Sequence, residues 1–183
     1  MVSAEESYKH FISGDRDAFS NIINEYRDSL IFYINGIVHN EDTSEEIAAD
    51  CFAELIVHPS RFGFKSSLKT YLFSVAHYKA VNYIKKNTRL VLFSCGEQIE
   101  KSVEYTEFEN DILQSEENRA LHAALPRIKE EYAEALHLIY FEEMSYKEAA
   151  LIMHKSVKQI DNYVARGKSA LKKILEKEGI SHA

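Results

Sequence analysis

Apolar residues recur at spacings of three and four along much of the chain, the pattern of helices with one buried face. The first such run is Phe19, Ile22, Ile23, Tyr26, Leu30, Tyr33, Ile34 and Ile37, within positions 18–38, with Gly14 and Asp15 before it as a stop and a start. Thr43 and Glu46 have the form of a capping box, which predicts a second helix through Ile47, Phe52, Leu55 and Ile56 that ends near Pro59. A loop with Phe62, Gly63 and Phe64 follows. Ser66 or Ser67 then caps a third helix carrying Tyr71, Leu72, Val75, Ala76 and Tyr83 to about Lys86. Residues 87–112 lose the periodicity and read as a linker, with at most a short ordered piece around 90–93. A helix over about 111–125 is expected next. Pro126, natural in a first helical turn, opens another, with Ile128, Tyr132, Ala135, Leu136 and Ile139 on one face.

Two capping boxes then come in quick succession, Ser145 with Glu148 and Ser156 with Gln159. They leave room for a short helix, a turn at His154 and Lys155, and a longer helix. In the longer one Val157, Ile160, Val164, Gly167, Leu171 and Ile174 face inward. Ala149 and Ala150 are small where a steeply crossing helix needs close approach. The turn position usually takes Gly, and His154 is a residue type that tolerates positive φ. This is the layout of a helix-turn-helix, whose second helix lies in a major groove. Almost nothing alternates with the period of a strand. The expected fold is all-α, with two small helical domains over 1–90 and 113–183 joined by a linker over 91–112.

Charge adds a second pattern. The net charge is −7, but the signs are segregated. Residues 1–54 hold twelve acids and three bases, and residues 97–118 eight acids and one lysine. Residues 55–96 hold seven bases and no acid, and residues 155–177 seven bases against Asp161 and Glu176. Two cationic patches separated by acidic stretches attract a polyanion locally, whatever the total charge. The surrounding acids repel phosphate, so local and partner-dependent DNA binding is expected rather than indiscriminate coating.

Catalysis is not expected. The eight histidines are scattered, and neither His-Glu-x-x-His nor a glycine-rich phosphate loop occurs. The adjacent carboxylates Glu45–Glu46 and Glu142–Glu143 point in different directions on a helix and read as solvated or partner-facing. Cys51 and Cys95 match no metal-ligand spacing and read as small buried thiols. No metal or cofactor is expected. No apolar run reaches the ~18 residues of a membrane span, and no secretory signal is visible, so the expected location is the cytoplasm. Instead, Lys158, Gln159, Asn162 and Arg166 lie outside the apolar stripe of the last helix with Lys168, where Gln and Asn can pair with adenine and Arg or Lys with guanine. Phe64, Tyr71, Tyr78 and Tyr83 are interleaved with Lys65, Lys69, Lys79, Lys85 and Lys86. Rings and cations together are what hold an opened single strand, although Tyr71 and Tyr83 lie near the apolar face and read as core.

The stretch "MSYKEAALIMHKSVKQIDNYVARGKSALKKIL" resembles the C-terminal promoter-binding domain of bacterial RNA polymerase sigma factors of the small extracytoplasmic-function type. "DAFSNIINEYRDSLIFYINGIVHNEDTSEEIAADCFAELIV" followed by "FKSSLKTYLFSVAHYKAVNYIKK" resembles the core-binding and promoter-melting domain of the same family. The resemblance implies an alternative sigma factor that binds core polymerase and directs promoter recognition, DNA opening and transcription initiation. It implies that Glu45, Glu46, Ile47, Asp50 and Phe52 dock on the β′ clamp helices, with the β flap as a further polymerase contact. It implies that Phe64, Lys65, Ser66, Lys69, Tyr78, Lys79, Asn82, Lys85 and Lys86 engage the minus-ten element and its melted strand. Ser156, Lys158, Gln159, Asn162, Arg166 and Lys168 would meet the duplex minus-thirty-five element. An anti-sigma protein is a further partner that such chains take. Family members often carry Gln where Ala49 stands, and Asn and Asp where Tyr78 and Asn82 stand. The alternative is a stand-alone helix-turn-helix regulator that binds a palindromic duplex unaided and has no use for the first domain. A third reading, an interaction protein with a degenerate DNA face, would be indifferent to charge reversal at Lys158, Arg166 and Lys168.

Overall fold

The computed structural model describes residues 3–94 and 123–177. The fold is all-α, and among the described residues there is no strand. The chain divides into two compact units, Met1–Glu104 and Tyr105–Ala183.

The first unit begins with a helix that the apolar pattern did not suggest, α1 (Ala4–Ile12), held at its start by a reciprocal box between Ser3 and Glu6. Helix α2 (Ala18–Val38) follows and ends at His39, whose φ of 54° breaks the helical path. Helix α3 (Glu41–Val57) starts earlier than the expected Thr43 box. Asn40 is its cap, and its side-chain oxygen accepts from the Thr43 amide at 2.8 Å. Asn is at least as good a cap as Thr and stands immediately after the left-handed residue. Past the turn Pro59–Arg61, the Ser67 hydroxyl accepts from the Thr70 amide at 3.1 Å and opens α4, Leu68–Ser94.

Helix α4 therefore runs beyond Lys86 into residues expected to be linker. No glycine or proline occurs between Phe64 and Gly96. An established helix propagates by one backbone bond per residue even where its apolar phase is lost. The core between α2, α3 and α4 is built on Leu30, Ile34, Leu55, Leu72, Phe73 and Ala76, all fully buried. Each large one contributes ~1.5–3 kcal/mol. Ile31 is buried as well, while Ile23 and Ile37 sit half-buried at the margins. Ile56, expected inside, is 48% exposed. Cys51 is a fully buried free thiol whose pKa burial pushes up to about 12; Cys95 lies outside the described residues.

In the second unit most of the helix expected over 111–125 also lies outside the described residues. Pro126 sits in a short turn, Leu125–Arg127, and the next helix, α5 (Glu130–Leu136), starts later than expected. Ile128 is extended between them, so the chain turns before it coils. Helix α5 continues into one wider π turn, His137–Phe141, where the Glu142 amide donates to the His137 carbonyl at 3.2 Å. That turn carries Glu142 inside, with its carboxylate 3.3 Å from His137 Nε2. Only Glu143 of that acidic pair is at the surface.

Helix α6 (Tyr146–Ile152) and helix α7 (Val157–Lys177) complete the unit. Both capping boxes close: Ser145 with Glu148, and Ser156 with Gln159. His154 between them has φ 52°, the positive value the turn requires. Ile160, Val164, Gly167 and Leu171 are buried, but Val157 is 45% exposed and leaves the expected stripe at its first position. Gly167 allows α5 and α7 to touch, since a Cβ there would lie 2.7 Å from Leu136 Cδ1 and 3.3 Å from Tyr132 Cβ.

Candidate nucleic-acid interface

Helix α7 shows an outer row of Lys158, Asn162 and Arg166, one helical turn apart and all exposed. Ser156 and Gln159 stand beside it at the helix start. They are committed to the cap: Gln159 Oε1 accepts from the Ser156 amide at 2.9 Å and from its hydroxyl at 3.1 Å. A bidentate pair with adenine needs that same oxygen, so Gln159 would have to leave the cap to read a base. Asn162 is under no such demand. Arg166 Nη1 donates to the Tyr132 hydroxyl at 3.5 Å, which steadies the guanidinium at the edge of α5.

Lys168 does not join this row. At about 100° per residue it lies on the other margin of the buried stripe. Its ammonium sits 4.7 Å from the centre of the Tyr140 ring, and a hydrogen bond with the Tyr140 hydroxyl raises its pKa. The two margins of α7 thus offer separate cations.

In the first unit Tyr78, Asn82 and Lys85 fall on the face of α4 opposite the core, with Tyr78 63% exposed. Arg89 extends the row; the sequence showed it only as one more base, and its spacing from Lys85 was the available signal. Lys86 is exposed next to Lys85. Lys79 leaves the row, because its Nζ reaches Asp50 of α3 at 3.5 Å. Lys69 lies across the helix from Tyr78, with its Nζ 5.8 Å from the Phe73 ring centre. In the preceding loop Phe64 is 46% exposed and Lys65 exposed. Ser66 is half-buried, and its hydroxyl donates to the Ser67 carbonyl. Tyr71 packs 5.2 Å from Phe62, and the Tyr83 hydroxyl meets Thr43 at 3.4 Å, so both serve packing.

The acids of α3 point away from that core. Glu46 and Asp50 are exposed, and Glu45 pairs with Arg27 of α2 at 3.0 Å. Ile47 and Phe52 were grouped with these acids as docking residues, but they are only 8% and 6% exposed. They face α2 and the aromatic core, with Phe52 6.4 Å from Phe19. Their place in the outer surface is taken by Ile56 and Val57, the latter 65% exposed. The outer face of α3 is therefore acidic along Glu45, Glu46 and Asp50 and ends in two exposed aliphatics.

The chain matches two family models, Sigma-70 region 2 over residues 22–90 and Sigma-70, region 4 over residues 118–171. It is 24% identical over 164 residues to the RNA polymerase sigma factor YlaC of Bacillus subtilis (strain 168), which covers 88% of this chain and 94% of that one. It is 23% identical over 175 residues to the ECF RNA polymerase sigma factor SigW of the same organism, covering 91% and 94%. Among solved structures it resembles the sigma factor RpoE in complex with the anti-sigma factor NepR from Bartonella quintana. The TM-score is 0.71 at 22% identity, over 86% of this chain and 96% of that one. CnrH in complex with the cytosolic domain of CnrY follows with a TM-score of 0.63 at 17% identity, covering 95% of each chain.

Proposed function

This chain belongs to the sigma-70 family, in its extracytoplasmic-function form, and from that premise we propose how its residues divide the work of an alternative sigma factor. Such a factor binds core RNA polymerase and directs promoter recognition, DNA opening and transcription initiation. The single observation that carries the function is the ordered pair of matches, region 2 then region 4. A stand-alone regulator would have no use for the first.

Residues 1–90 are the polymerase-binding and promoter-melting domain in this proposal, and residues 113–183 the minus-thirty-five domain. Glu46, and Asp50 while paired with Lys79, present charge to the β′ clamp helices, and Ile56 and Val57 present apolar area beside them. Glu45 contributes through the same face while paired with Arg27. Tyr78, Asn82, Lys85, Lys86 and Arg89 form the track for the opened strand, with Phe64 and Lys65 at its head. A base on an exposed ring is worth ~1–3 kcal/mol. Asn162 and Arg166 read the minus-thirty-five duplex, while Lys158 fixes register on phosphate. Lys168 takes phosphate from the other margin of α7.

A protein of this kind is a regulator rather than an enzyme. It works where the polymerase works, in the cytoplasm, and no described helix is long and apolar enough to cross a membrane. One similar structure is of a sigma factor in complex with an anti-sigma factor, and we extend this to an anti-sigma protein for this chain. Titrating labelled chain with purified core enzyme tests the docking face. Glu46→Lys and Asp50→Lys should each weaken binding by roughly tenfold, ~1.4 kcal/mol. Undiminished affinity in both would remove α3 from the interface.

A further inference from the structure

Helix α1 has no part in that division of work, yet it holds both ends of the loop that carries Phe64. The Tyr8 hydroxyl donates to the Leu55 carbonyl at 3.0 Å, near the end of α3. The Glu5 carboxylate accepts from the Leu68 amide at 2.9 Å, at the first residue of α4. Between these two fastenings the Phe64 ring rests on Phe62, 4.7 Å away, and on Tyr8, 6.1 Å away, and remains 46% exposed. Its φ of 53° is a conformation that bulky residues seldom adopt. The position is therefore held by its surroundings and not by the local backbone preference. Lys9, next to Tyr8, is exposed and brings its ammonium to 5.8 Å from the centre of that ring. Glu5, one helical turn before Lys9, is occupied with α4.

We propose that Lys9 is a further DNA-contacting residue. Phe64 takes an unpaired base of the opened strand on its ring, and Lys9 takes the neighbouring phosphate. Single strands are bound by this combination of an aromatic face and a cation on the backbone. An ammonium over an exposed ring is held weakly, and the flexible lysine stem lets it move from ring to phosphate as the base arrives. The inference rests on the sigma-factor reading and adds to it a helix on which no DNA contact has been placed.

The test uses the full chain bound to core polymerase, on a promoter chosen by run-off transcription and on the same promoter with a pre-formed mismatch bubble. Lys9→Ala should weaken binding to the bubble template by about three- to tenfold and reduce the magnitude of the salt slope by about 0.7, the value of one single-strand phosphate contact. Lys9→Arg should retain both, and neither change should alter affinity for core enzyme. Wild-type affinity and slope in Lys9→Ala would overturn the inference. Weakened binding with an unchanged slope would also overturn it, because the loss would not be one of charge. If the wild-type chain opens no promoter, the sigma-factor reading itself fails, and that result is distinguishable from the others.

Discussion

Helices α7 and α4 both turn a basic face outward, but they are fixed in different ways. The start of helix α7 is set by its own neighbours: Ser156 and Gln159 cap it and His154 turns the chain into it, while Gly167 adds one longer-range contact with α5. Helix α4 is set by distant residues. Glu5 of α1 holds its start, Asp50 of α3 draws Lys79 out of the basic row, and Thr43 meets Tyr83. A reading surface built on local rules can be changed residue by residue, whereas one built on long-range packing shifts with its supports.

The largest effect should come from the packed side of this comparison. Phe73 is fully buried under α2, 5.0 Å from Tyr33, and Phe73→Ala should cost ~3–5 kcal/mol. Urea unfolding, with hydrogen exchange over α2 to α4 as the local probe, reads that loss. A change below ~1 kcal/mol would mean that the first unit does not depend on this contact.

On the α7 side, Arg166→Ala should weaken binding of the polymerase-bound chain to its minus-thirty-five duplex by ~1–3 kcal/mol and relax preference at one base position. Lys158→Ala should instead weaken all sequences alike. A competition assay over a randomised site separates the two. Equal effects on every sequence from both variants would make Arg166 another phosphate contact.

Ser156→Ala removes the cap of α7 and should cost ~1 kcal/mol of stability in thermal melting. It also releases Gln159, so a change of sequence preference in that variant would reveal a latent base contact. A further effect is alkaline. Tyr8, also fully buried, has its hydroxyl pKa raised to about 12 by burial, as has the Cys51 thiol. Both groups have higher pKa values folded than unfolded, so their stabilising contribution is complete below their ordinary pKa values. It is lost as pH rises through the region from 9 toward 12. Tyr8→Phe should cost ~1 kcal/mol at neutral pH by removing the bond to the Leu55 carbonyl. It should also flatten part of the alkaline decline, and an unchanged pH profile would remove Tyr8 from that account.

This contrast also explains what was legible in the sequence. The helix-turn-helix was, because capping boxes and apolar spacing are local signals and the positive φ at His154 follows from the shortness of the turn. The box that starts α1 was equally present in Ser3 and Glu6 but lacked a long apolar run to announce it. The faces of α3 were less legible, because an alternation of acids and aliphatics does not say which aliphatics turn inward. Ile47 and Phe52 went to the core, and Ile56 and Val57 to the surface. Lys69 and Lys79 shared a charge pattern with Lys85 and were separated only by contacts with Phe73 and Asp50. The burial of Glu142 depends on a π turn that no spacing rule indicated.

The most direct measurement is run-off transcription with purified core polymerase on a promoter library, comparing the wild-type chain with one carrying Lys158→Glu and Arg166→Glu. The wild type should bind core enzyme and impose defined start sites, and the reversed chain should still bind core enzyme but lose those starts. A wild-type chain that leaves core polymerase unbound, or start sites that survive the reversal, would contradict the account.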